Sequence, residues 1–387
     1  MEKEIKNGKI SIKLWLDDIE KGALEQAEHL AQLPFTFSHV AIMPDAHQGY
    51  GMPIGGVLAL KDTIIPNAVG VDIGCGMCAL KTSQKEADKR ILQKITENIK
   101  RAIPSGFDHH KKDQNRNLMP AEGKRKLPVV EQEYKNALRQ IGTLGGGNHF
   151  IELQKDENGY IWIMIHSGSR NIGYKTANHY NKLAAKLNEK WHSPIPRNWQ
   201  LAYLPMESEE GQNYMAEMNY CIAFAFSNRK LMMNRVKEIL SDYFPSIQFA
   251  EMINIAHNYA AAEKHFGQKV IVHRKGATRA IKNEYGIIPG SQGSPSYIVR
   301  GKGNPHSFMS CSHGAGRKMG RNEARRRLDL KKESARLERL GIIHALHSKK
   351  DLDEAAGAYK DIYRVIQNQL DLISIETELK PLAVIKG

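Results

Sequence analysis

The chain lacks most of the features that settle a protein's class early. Its 387 residues hold 4 cysteines, too few for a disulfide framework. No run of about 18 apolar residues occurs, which predicts no membrane-spanning helix. The opening MEKEIKNGKI has no apolar core of the kind a secretory leader needs. Together these absences predict a cytoplasmic protein with no membrane partner. Internal repeats and Gly/Ser/Pro-rich linkers are also missing, which argues against an array of separate modules. Negative charge is in deficit: 42 Asp+Glu face 56 Lys+Arg, a net charge of +14. An excess of that size suggests a polyanionic partner such as nucleic acid. What remains is ordinary, with 41% hydrophobic and 25% charged residues, so a disordered or fibrous chain is excluded.

The pattern along the chain is mixed. Short apolar runs broken by Gly and Pro over 36–81 predict strands. Ile91, Ile95 and Ile99, spaced by four, predict a helix over 83–101. Residues 104–130 are polar and basic and read as a long surface loop. YIWIMI at 160–165 reads as a buried strand, and 175–242 turns helical. Strand-like runs return with KVIVHRKGATRA and GIIPGSQGSPSYIVRG. RNEARRRLDLKKESARLERLG predicts a basic helix closed by Gly341. Strand-like segments flank the helical one. The expectation is therefore a single α+β domain over 1–387, with a β-rich core around a central cleft and a helical insertion at 175–245.

Five stretches join Gly to Asp, Cys, His or Asn: PDAHQGYG, DIGCGMC, GGGNHFIE, HSGSR and HNYA. Loops of this kind gather site residues on a rigid scaffold. Asp72, Cys75, His149, His166 and His257 supply a carboxylate, a thiol and three imidazoles, enough for one or two divalent metals. A bridging thiolate suits a binuclear centre for phosphoryl transfer. Cys75 and Cys78 form one CxxC without a second, which argues against a zinc ribbon. The competing reading is a set of buried polar residues satisfied by backbone. In HGAGRKMGR, His313 sits beside Gly-rich backbone and Arg317, an arrangement suited to a phosphate facing a nucleophilic histidine. PGSQGSPS and HRKGATR read as further phosphate-binding loops, with His273, Arg274, Lys275 and Arg279 as an anion site. Turn chemistry is the alternative for both.

Taken together and in this order, DIGCGM, GGGNHFIE, HSGSR, HRKGATR and HGAGR resemble the RtcB family of GTP-dependent RNA ligases. The likeness runs from Pro44 to Arg321, and the terminal PLAVIKG resembles the family's ending. It implies an enzyme that joins an RNA 3′-phosphate or 2′,3′-cyclic phosphate to a 5′-hydroxyl, in RNA repair or tRNA splicing. GTP and two Mn2+ ions are the implied cofactors. The implied metal ligands are Asp72, Cys75 (shared between the ions), His149, His166 and His257. His313 is the implied nucleophile that becomes guanylated. Asn148 is implied as a phosphate contact and Glu152 as a guanosine contact. Asn258, Gly314, Ala315, Gly316 and Arg317 fall in the matching nucleotide loops. Ser291 and Ser296 match a serine-containing loop, Tyr359 an aromatic beside the base, and Lys386 a lysine that contacts guanine. His47 reads as a residue behind the site or near an RNA end, and Cys78 and Cys311 as packing residues.

At 387 residues the chain looks shorter than the main tRNA-splicing and bacterial members and resembles the short paralogues. Some of those are linked to a peptide-release-factor homologue and ribosomal-RNA repair. An archease-type activator or that homologue are the candidate protein partners. Two readings compete with the ligase: a binuclear metallophosphoesterase or nuclease acting on RNA ends, and an RNA-binding factor on a decayed ligase fold. A hydrolase needs no guanylated histidine. A decayed fold would lose a ligand, and all five positions are filled.

Overall fold

The computed structural model describes residues 1, 3–6, 10–121 and 125–387. Two β-sheets dominate. The first has the order Lys3–Ile5, Ser11–Leu14, Thr36–His47, Ile54–Leu60, Gln268–Lys275, Asn258–His265. The second runs Ile253–Ala256, Gly76–Lys81, Ile161–Ser167, Phe150–Lys155, Ile373–Lys386, Ser296–Gly301, Tyr285–Ile288. Its edge strands Ile253–Ala256 and Tyr285–Ile288 approach each other, so it curls almost into a barrel. The α+β class is as the sequence predicts.

Alternation along each strand sorts side chains to two faces. Met77, Ala79, Met164, Ile287, Ile298 and Leu379 fill the inside of the curled sheet. Cys78, Leu80, Ile151, Ile163 and Ile165 point outward under helices Lys89–Ala102 and Glu209–Tyr243. A further core joins the two sheets, with Val57 and Val272 of the first against Val299 and Ile373 of the second. The fourfold isoleucine spacing does make a helix, but it starts at Lys89. Asp88 caps it there, accepting from Arg90 N at 2.6 Å, and the preceding residues are not helical.

The long helical segment forms Arg170–Lys190 and Glu209–Tyr243. The basic helix is two helices, Arg321–Arg327 and Leu330–Arg339. Leu328 is extended between them, and Asp329 starts the second by accepting from Lys332 N. Gly341 has φ +72° and closes it as expected, with Ile342 N donating to Leu337 O. The predicted basic loop ends earlier than expected, because Pro128 opens a helix running to Gln140. Its residues 122–124 lie outside the described residues.

Candidate active site

Four neighbouring strands of the second sheet converge at one end and place the pooled residues there. Cys75 immediately precedes Gly76–Lys81, and His257 follows Ile253–Ala256 on the adjacent strand. His166 lies near the end of Ile161–Ser167, paired with Met77 on one side and Phe150 on the other. His149 directly precedes Phe150. Asp72 stands in the tight loop before Cys75. Gly168 packs so closely on its carboxylate that a Cβ there would lie 2.2 Å from Oδ1.

The donor atoms meet. Cys75 Sγ lies 3.3 Å from His166 Nε2 and 3.5 Å from His149 Nε2. His149 Nε2 is 3.1 Å from Asp72 Oδ2. Nδ1 of each imidazole is held by a backbone carbonyl, His149 by Leu144 O at 2.9 Å and His166 by Asn148 O at 3.2 Å. For His166 that fixes the proton on Nδ1 and turns the Nε2 lone pair toward the sulfur, the usual outer arrangement of a metal-binding histidine, while His149 Nδ1 also lies 3.3 Å from Arg170 Nη1. The His257 ring lies 5.2 Å from that of His166, and its buried Nδ1 has no hydrogen-bond partner among the described residues. Burial, then the neighbouring imidazoles, push His166 and His257 well below the ordinary histidine range, so both are neutral. Burial would raise the Asp72 pKa, but the His149 hydrogen bond and the charges of His149 and Arg170 hold it at about 2. A carboxylate, a thiol and imidazoles pointing inward fit a divalent cation of the borderline type.

His313 faces this cluster, its ring 4.9 Å from His257 and nearly perpendicular to it. Asp45, fully buried, fixes it: Oδ2 accepts from His313 N at 3.1 Å and sits 2.6 Å from Nδ1. Nε2 is left free. Gly316 (φ +71°) lets the loop after His313 lie flat on the Asp45 backbone, where a Cβ would come within 2.1 Å of its carbonyl. Asp45 belongs to PDAHQGYG, yet the sequence offered no partner for it, and only the fold brings it to His313. His47 lies beside it, its Nδ1 held by Asp45 O at 3.1 Å.

These groups open into a cleft of about 910 Å³. Fifteen of the seventeen residues named above as site residues line it, while His149 and Ser296 do not. Ser296 is buried, accepting from Gln154 Nε2 at 3.0 Å and from Gly290 N at 3.1 Å, so it holds the serine loop from behind. Asn258 is committed to backbone, accepting from Gly276 N at 2.7 Å and donating to Asp72 O at 3.1 Å. Lys386 is no frayed terminus. It is the last residue of a strand flanked by two others, 14% exposed, with Nζ 3.6 Å from Glu354. Glu354 also receives the Tyr359 hydroxyl and Arg317 (3.3 Å), making a charged floor that the sequence did not reveal. Burial lifts Glu152 to about 8, against the hydrogen bond of Gln154 and the charge of Lys386.

The anion site expected in HRKGATR does not form. Only Lys275 of the four lines the cleft, with Nζ donating to Tyr50 O and Asn67 O. His273 points into the core and accepts from Ile65 N, and Arg274 is buried in a bidentate pair with Glu263. Arg279 pairs with Glu284. For His273 and Arg274 the reason is that Gln268–Lys275 is a central strand whose faces are covered, while Arg279 is exposed and taken up by Glu284. Cys78 and Cys311 are buried packing residues, as expected.

The helical insertion braces the site. Asn228 accepts from Gly142 N and Thr143 N and donates to Thr143 O, Ser167 Oγ and Gly168 O. Arg229 donates to Gly74 O and Ser167 O. Asn228→Ala should cost about 3 kcal/mol, because buried groups of Gly142, Thr143, Ser167 and Gly168 each lose a partner. Chemical denaturation would read it, and a loss under 1 kcal/mol would refute the bracing role.

Fold and site together define an α+β protein in which a thiol–imidazole–carboxylate centre faces a carboxylate-held histidine across a polar cleft. The chain belongs to the RtcB ligase family. The family model for tRNA-splicing ligase RtcB matches residues 26–127 and 120–387. The RNA-splicing ligase RtcB1 of one Escherichia coli strain is 38% identical, with 97% of each chain covered. The RNA-splicing ligase RtcB of Escherichia coli K12 is 37% identical over the same shares. The tRNA-splicing ligase RtcB of Thermococcus kodakarensis is 30% identical, over 94% of this chain and 91% of that one. Among the described residues no helix is long and apolar enough to cross a membrane.

Proposed function

We propose that this protein joins an RNA 3′-phosphate or 2′,3′-cyclic phosphate end to a 5′-hydroxyl end, using GTP through a covalent His313–GMP. One observation carries the reading: His313 is held at Nδ1 by buried Asp45, which leaves Nε2 free beside the Cys75/His149/His166 cluster. A hydrolase needs no covalent guanylate on that histidine, so the label described below separates the two readings. Asp72, Cys75, His149, His166 and His257 would hold two Mn2+ ions. The inward lone pairs and the orphaned His257 Nδ1 support that set. When bound, the ions supply charge neutralisation to phosphate oxygens.

In this reading His313 Nε2 attacks the α-phosphorus of GTP and expels pyrophosphate, while Asp45 keeps the ring oriented and stabilises the cation that develops on it. Asn148 and Arg317 face the phosphates. Glu152, Tyr359 and Lys386 face the guanosine, with the Ser291 loop beside them. A cyclic phosphate is first opened by water. The RNA 3′-phosphate then takes GMP from His313, and attack by the 5′-hydroxyl releases GMP. We place the protein in the cytoplasm, with RNA as its substrate and an archease-type activator or release-factor homologue as candidate partners. Incubation with α-labelled GTP and Mn2+ should give a covalently labelled, acid-labile protein. No label under those conditions would remove the ligase reading.

A further inference from the structure

The basic loop beginning at residue 104 is not loose where it meets the site. Leu144 N donates to Pro104 O at 2.9 Å, and Gly106 N donates to Gly145 O at 2.9 Å. Asp108 N closes a β-turn on Ser105 O at 3.0 Å, with Gly106 at φ +61°. This turn is bonded to the GGGN loop that carries Asn148 and His149. At its apex stands Phe107, 99% exposed. An aromatic ring with essentially no contact to the fold contributes nothing to its stability. The turn holds it outward nonetheless.

The surroundings are cationic. His109, Lys111 and Lys112 follow on the same loop and are exposed. On the other side Arg321, half-exposed, lies against Gly147, where a Cβ would come 3.0 Å from its guanidinium. Arg321 begins the basic helix that carries exposed Arg325, Arg326 and Arg327, of which Arg325 pairs with Asp353 and Arg327 with Glu323. A fixed exposed ring between two runs of positive charge is the pattern that holds unpaired nucleotides: bases stack on the ring and phosphates follow the charge. Within a duplex each base is covered by its neighbours and offers no free face to such a ring.

Resting on the ligase reading above, we propose that the 105–108 turn and the start of the Arg321–Arg327 helix form the docking strip for an unpaired RNA end, with Phe107 stacking on a base. The purified full-length protein tests this with a ligatable RNA whose ends are single-stranded. Phe107→Ala should take label from GTP at the wild-type rate yet show a KM for RNA raised about tenfold, with kcat little changed. Phe107→Trp should restore the KM. For an RNA whose two ends abut at a nick in a continuous duplex, so that each terminal base is covered by the other, Phe107→Ala should change little. An unchanged KM in Phe107→Ala, or an equal rise with duplexed ends, would overturn the proposal. Direct RNA binding by fluorescence anisotropy reads the same affinity loss without ligation, so docking is judged even if wild-type protein takes no label.

Discussion

His313→Ala is expected to abolish covalent labelling by GTP, and with it all ligation that starts from GTP. The geometry makes the effect total rather than partial. Labelling needs a nucleophile whose lone pair is free, and Asp45 engages Nδ1 so that only Nε2 is available. His166 and His257 point toward the Cys75 cluster, while His47 is likewise held at Nδ1, by Asp45 O, so His47→Ala is the control that should keep its label. The partner residue gives a graded control. Asp45→Asn keeps the shape but loses the charge that stabilises a developing imidazolium. A change of that kind costs on the order of 10³–10⁴ in rate where an aspartate orients a catalytic histidine. Single-turnover labelling measures both variants. Label retained in His313→Ala would show that another residue is guanylated. An unchanged rate in Asp45→Asn would show that the contact only packs.

The second large effect is expected at Cys75. Cys75→Ser keeps the volume of a side chain that is 3% exposed, so the fold should stand. It replaces a soft thiolate donor with a hydroxyl that holds its proton. Manganese affinity should fall by at least about 100-fold, since even outer residues around such sites are worth 10–100-fold. Labelling by GTP should disappear at limiting metal. Equilibrium dialysis with Mn2+ reads the affinity, and a thermal melt confirms the fold. Wild-type affinity in Cys75→Ser would remove Cys75 from the ligand set, leaving the imidazoles and Asp72 to be tested one by one.

Local chemistry told the truth about short segments and was silent about pairs. The fourfold isoleucines made a helix because one buried face suffices to recognise it. Gly341 could be read as a cap because a left-handed turn after a helix is a local need. The strand Ile373–Lys386 was hidden, because Pro381 and several charges mask its alternation and its neighbours are remote in sequence. With it was hidden the burial of Lys386. HRKGATR misled for the complementary reason. Its cations look like an anion loop, but Gln268–Lys275 is a strand in a covered sheet, so His273 and Arg274 face inward and find core partners.

By itself, then, the sequence determined the α+β class, the long helical segment, and the residue types of the centre: loop glycines, a cysteine and histidines at strand ends, each dictated by local backbone and donor chemistry. Tertiary structure decided which of them meet. Asp45 reaches His313 across 268 positions, and Glu354 gathers Arg317, Tyr359 and Lys386 into one charged floor. The converging ends of four neighbouring strands bring Cys75, His149, His166 and His257 together. Strand order and register set those distances, and both depend on pairings between segments that carry no local mark of one another.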